Sequence, residues 1–135
     1  MAVDIIYLDN GRGVIIRACD NINGNDLISA YEKVYKQHQL IPQKYHIMDN
    51  SWCTEYDVTA KHLEAISDFD YKTAQINPDI VKAVIESSML EFSLTELWQA
   101  HVDGFIHHSR SFSNQTNALV WIKEILYDNT AMVSS

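Results

Sequence analysis

Apolar positions along this chain come as short runs and as spaced stripes, and the alternation of the two sets out an order of elements. Residues 3–8 and 13–18 are apolar runs separated by Asp9-Asn10-Gly11-Arg12, a Gly-containing connection that predicts an antiparallel β-hairpin. Asn23-Gly24-Asn25-Asp26 then opens a helix, with Asn23 as N-cap and Asp26 complementing the helix dipole. Leu27, Tyr31, Val34 and Tyr35 form its buried face, and it fades near His38. Pro42 marks the turn out, and residues 45–48 make a short third strand ending at Asp49. Residues 49–56 have no period and read as a loop. Asp57 or Thr59 caps a second helix with Leu63 and Ile66 facing inward, and residues 68–78 connect it to the next strand.

Residues 80–85 are apolar at five of six positions, broken only by Lys82, which suits a strand covered on both faces. A loop is expected over residues 86–92. Ser93-Leu94-Thr95-Glu96 has the form of a capping box, and Leu94, Leu97 and Trp98, with His101 or Val102 a turn later, make a helical stripe that ends at Asp103-Gly104. The polar centre of residues 105–112, a fifth strand, points to a sheet edge. Ser113 caps a last helix carrying Ala118, Leu119, Ile122, Ile125 and Leu126 at helical spacing, and residues 128–135, without pattern, are expected as a frayed tail. The fold class is α/β: a mixed sheet of four to five strands, an N-terminal β-hairpin followed by parallel strands, with about four helices in one domain over residues 1–127. The fourth strand should run parallel to the third, because a helical crossover separates them.

Composition narrows the partners. With 135 residues, 47% of them apolar, the chain suffices for one core that hides roughly 68% of the unfolded surface. A net charge of -8 and scattered Lys and Arg argue against nucleic acid, which needs a basic patch to release counterions. No basic amphipathic run suits a membrane surface, and no apolar run approaches the ~18 residues of a spanning helix. Cys19 and Cys53 lack zinc-like or CxxC spacing and no signal-peptide pattern opens the chain, so a cytoplasmic protein with free thiols is expected.

The order of elements, together with residues 80–85, Phe92-Ser93-Leu94, Leu97-Trp98-Gln99, Arg110-Ser111-Phe112 and Ala118-Leu119-Val120-Trp121-Ile122, resembles the STAS domain, in particular the SpoIIAA-like group of small bacterial proteins. The resemblance covers nearly the whole chain and rests mainly on core positions. It implies the mixed sheet above and a regulatory protein contact. In the family's anti-sigma-factor antagonists an Asp-Ser-Ser-Gly run carries a phosphorylated hydroxyl. Asp57-Val58-Thr59-Ala60 occupies that place, matching at Asp57 and the Thr59 hydroxyl and departing at Val58 and Ala60.

Several residues are candidates for function. Thr59 is a phosphate acceptor under the resemblance and an ordinary helix cap otherwise. The histidines offer no ligand set: His107 and His108 are adjacent and would face opposite ways on a strand, while His38, His46, His62 and His101 fall on separate elements. Neither a metal nor a cofactor is expected, and Cys53 has no evident activating neighbour. Trp52, flanked by Asp49, Ser51 and Tyr56, either lines a ligand or contact surface or folds back over the core. Met89 and Phe92, after the fourth strand, fall at the same sheet end, where crevices in α/β sheets form. The expectation is a non-enzymatic binding or regulatory module using Asp49, Ser51, Trp52, Asp57, Thr59, Met89 and Phe92 toward a protein partner, a second copy of itself included, or a small apolar ligand. The alternative, a small hydrolase using His and carboxylate groups, has no motif behind it.

Overall fold

The computed structural model describes residues 3–134, with side chains described through Tyr127. The elements are β1 (Val3–Leu8), β2 (Gly13–Asn23), α1 (Gly24–Leu40), β3 (Tyr45–Asp57), α2 (Ala60–Ile76), β4 (Val81–Ile85), α3 (Met89–Val102), β5 (His108–Phe112) and α4 (Gln115–Ser134), with a 3-10 turn, Asp9–Gly11, joining the first two. One five-stranded sheet has the order β1-β2-β3-β4-β5, antiparallel between β1 and β2 and parallel thereafter. Successive crossovers put α1, α2 and α3 side by side on one face. Helix α4 packs on the opposite face, against β3, β4 and β5.

Two apolar layers result. Val14, Ile16, Leu27, Val34, Val84 and Trp98 meet between the sheet and α1–α3. Ile15, Ile47, Ile85, Ala118 and Ile122 meet beneath α4. Neighbouring strand residues therefore serve opposite layers, which is why these strands are apolar at nearly every position. The α/β fold class, the parallel pairing of β3 with the buried β4, and the edge position of β5 are as the sequence predicts.

Several boundaries differ, each for a local reason. β2 and β3 continue to Asn23 and Asp57, so residues 49–56 are strand and not loop. Register shifts between Arg17 and Cys19 and between Asp20 and Asn21 break the alternation, and Met48, Asn50, Cys53 and Tyr56 reach the helix layer at irregular spacing. Helix α2 runs on through residues 68–76, expected as connector, because Asp70, Thr73 and Ala74 face inward. Helix α3 starts at Met89: Ser88 accepts from the Glu91 backbone N–H at 3.2 Å, so the earlier of two Ser-x-x-Glu runs is the cap, and residues 89–92 are its first turn, not a loop. Its buried stripe is Glu91, Thr95, Trp98 and Val102, with Leu97 outside. Asn114, not Ser113, caps α4 by accepting from the Asn117 N–H at 2.9 Å. The α4 backbone is helical through Ser134, and the tail expected over residues 128–135 falls where side chains, and all of Ser135, lie outside the described residues.

The interruption at Lys82 marks a polar knot inside the first layer. Lys82, 2% exposed, donates to Asp70 Oδ1 on α2 and to His46 Nδ1 on β3, 2.8 Å away, and lies 5.7 Å from the Tyr31 ring. Asp70 Oδ2 accepts from Trp98 Nε1 at 2.7 Å. His46 Nε2 donates to Gln43 Oε1 at 2.6 Å, while His38 Nε2 donates to the Thr73 carbonyl at 3.1 Å and its Nδ1 accepts from the Gln43 N–H at 2.7 Å. Each polar group has a partner, as a buried network requires. Burial, then the Lys82 charge, holds the pKa of His46 well below the ordinary imidazole value, and burial likewise lowers that of His38.

Candidate functional site

At the carboxyl ends of the parallel strands, β2 and β3 outrun their neighbours, since β1 pairs only with residues up to Ala18 and β4 only with residues up to Asp49. On the α4 side of this extension the Asp49 carboxylate is buried. Its Oδ1 accepts from the Ser51 N–H at 3.0 Å and hydroxyl at 2.6 Å, and its Oδ2 from Arg17 Nε at 3.3 Å. The Arg17 guanidinium also donates to Gln115 Oε1 at 3.2 Å, in the first turn of α4, and lies 5.3 Å from the Trp52 ring centre. Asp49, Ser51 and Trp52 are thus brought together, through an arginine that the sequence reading overlooked. Trp52 remains 60% exposed, so it does not fold back into the core.

On the helix side of the same strand end lies a narrow cavity of about 30 Å³, enough for water but not for a larger ligand without opening. Tyr31, Tyr56, Leu94, Trp98 and Thr95 line it together with Asn50. Asn50 is 2% exposed and its Oδ1 has no partner. Glu86 directly follows β4; its Oε2 accepts from Thr95 Oγ1 at 2.6 Å, whereas its Oε1 is unpaired. Buried acceptors without donors are uncommon and costly. Alternation along β3 hid Asn50 from a reading that ended the strand at Asp49.

Met89 and Phe92 stand apart from Trp52. They line an open groove of about 560 Å³ with Glu86, Ser111 and Phe112, at the ends of β4 and β5. Met89 is 80% and Phe92 42% exposed, and Leu90 beside them is exposed too. The first turn of α3 therefore presents an apolar face to solvent.

Asp57 and Thr59 are not part of either group. They sit at and just past the far end of the β3 extension; Asp57 is roughly 20 Å from Asp49, six steps of the paired β2 at about 3.3 Å per residue. Thr59 is the N-cap of α2: its Oγ1 accepts from the His62 N–H at 3.5 Å, and His62 Nδ1 accepts from the Thr59 N–H at 3.1 Å. Gly24 makes room for that imidazole, because a Cβ there would overlap the His62 ring.

The thiols are poor nucleophiles. Burial, then the Glu91 carboxylate, pushes Cys53 up to about 12, and burial with Asp4 raises Cys19 as well. Among the described residues no group of three His, Cys, Asp or Glu is placed to hold a metal ion, and no helix is long and apolar enough to cross a membrane. The sequence matches no protein-family model and no curated protein.

Proposed function

We propose that this chain is a non-enzymatic, SpoIIAA-like (STAS-type) binding or regulatory module, cytoplasmic, that uses the carboxyl end of its parallel sheet to hold a protein partner. The observation that carries this reading is the exposed apolar surface at that end, in two patches: Trp52 on β3, and Met89, Leu90 and Phe92 on the first turn of α3, all in solvent. Rigid, exposed aromatic and Met side chains are the usual anchors of interfaces. Arg17, itself bonded to Asp49 and Gln115, lies 5.3 Å from the centre of the Trp52 ring, a cation–π contact that favours one orientation of the indole. A homodimer through this surface is one form the contact can take.

A small apolar ligand is the second reading, favoured by the unpaired Asn50 Oδ1 in the cavity behind the strand. A hydrolase gains no support from the geometry, since the acid and bases that do meet, Asp70, Lys82 and His46, are sealed in the core and bonded to one another.

Trp52→Ala and the pair Met89→Ala/Phe92→Ala are expected to leave the urea midpoint nearly unchanged, within ~0.5 kcal/mol, as for surface positions. Capture of a partner from a cell extract, or self-association in sedimentation, should weaken in the same variants. A loss of roughly 3–5 kcal/mol in Trp52→Ala would make it a core residue. Unaltered capture and association in both variants would overturn the reading.

A further inference from the structure

At the opposite end of the sheet, the amino ends of β3 and β4, a second cavity of about 450 Å³ opens beneath α4, a volume in the range of small-molecule sites. Four separate segments build it: the β1–β2 turn, the entry to β3, the α2–β4 connection and the inner side of α4. Arg12, Lys44 and Lys123 line it, each from a different segment. That grouping is unusual in a chain with 18 acidic and ten basic residues. Elsewhere five of the seven cations are engaged: Arg17, Lys36 and Lys82 in ion pairs, Lys72 and Arg110 over aromatic rings. Among the described residues, Arg12, Lys44 and Lys123 have neither, and outside this cavity only Lys33 and Lys61 share that state.

Two carboxylates share the lining, Asp9 and Asp79. Asp9 is already committed, because its Oδ2 accepts the Tyr45 hydroxyl. Gly13 permits this arrangement: a Cβ there would overlap the Tyr45 ring, which lies across the backbone to reach Asp9. Three cations against two carboxylates leave one net positive charge. Asn77 adds one more polar side chain, and the α4 part of the wall is mainly apolar, with Leu119, Ile122 and Leu126 on the same cavity as the Tyr45 ring. We infer that this cavity is a binding site for a small organic monoanion with an apolar body, such as an aromatic or medium-chain carboxylate. Arg12 offers the planar fork that a carboxylate accepts, Lys44 and Lys123 supply point charge, and the α4 side chains take the apolar part. The site lies at the other end of the sheet from the proposed partner surface and does not depend on it.

The test is a titration of the full chain with benzoate and with hexanoate at low ionic strength, followed by amide chemical shifts. Saturable shifts at Arg12, Lys44, Ile122 and Lys123 are expected, weakened about tenfold in Arg12→Gln/Lys44→Gln, a loss equivalent to ~1.4 kcal/mol. Lys44→Gln and Lys123→Gln singly should show smaller losses in the same direction, should the double variant fold poorly. Asp79→Asn, which raises the net positive charge, should tighten binding. Equal binding of hexanol would remove the role of charge, and equal binding of inorganic phosphate would mean an adventitious ion only; either result, or no saturable shift with both carboxylates, overturns the site.

Discussion

Asp70→Ala is expected to destabilise the protein by about 3–5 kcal/mol, the cost of leaving a buried charge without its partner. The substitution removes the carboxylate on which Lys82 and Trp98 converge, leaving an ammonium with only a neutral imidazole nitrogen and a Tyr31 ring around it. The indole N–H loses its acceptor as well, and an orphaned buried donor costs ~1–3 kcal/mol. Against a total stability of ~5–15 kcal/mol this brings the fold close to its limit. Asp70→Leu combined with Lys82→Met should recover part of the loss, because removing both charges also removes their desolvation cost while the Trp98 N–H and His46 Nδ1 stay without partners. Urea unfolding of the single and double variants measures both. A single variant within ~1 kcal/mol of the parent would show that Lys82 finds other company, and the network would then carry little of the fold's stability.

The same residues show where the sequence was legible. Periodicity sufficed for the hairpin, the crossovers and α4, because a strand buried on both faces or an amphipathic helix leaves its period in the chain. It failed wherever polar residues were buried. Asp70 and Thr73 made the second half of α2 look like connector, although both face the core. Glu91 and Thr95 displace the apolar stripe of α3, so by pattern alone its first turn reads as a loop. Lys82 was the one visible signal: a lysine inside a two-sided strand needs an acid, and Asp70 is that acid. At the candidate site Asp49, Ser51 and Trp52 were found as neighbours in sequence, while Arg17 and Gln115, 32 and 98 residues from their partners, are joined to them only by sheet order and by the return of α4. Asp57 and Thr59 were grouped with Trp52 by a loop that the structure replaces with extended strand, and extension is what separates them.

Acid should unfold this protein earlier than its carboxylates alone would require. His38 and His46 are buried in forms whose tautomer is set by their partners: each donates from Nε2 and accepts at Nδ1, so a second proton has no place. At His46 an added N–H would point at the Lys82 ammonium. Both folded-state pKa values therefore lie below the unfolded value near 6.5, and the unfolded chain binds more protons in that window. Their contribution to stability is complete above pH ~6.5 and falls as pH drops through it, approaching about 1.4 kcal/mol per unit for a histidine whose folded pKa lies far below the unfolded one. His46, held well below the ordinary value, sets most of the slope, which approaches about 1.4 kcal/mol per unit about one unit below pH ~6.5; His38 adds in the same direction, and ordinary carboxylates, with pKa values near ~4, contribute less there. Urea midpoints taken between pH ~7.5 and ~5 should follow that slope. His46→Gln keeps an amide N–H for Gln43 and an oxygen for Lys82 but cannot titrate, so it should remove most of the slope even if it lowers stability at neutral pH. A parent profile flat between pH ~6.5 and ~5, or an unchanged slope in His46→Gln, would place the acid sensitivity outside the buried network.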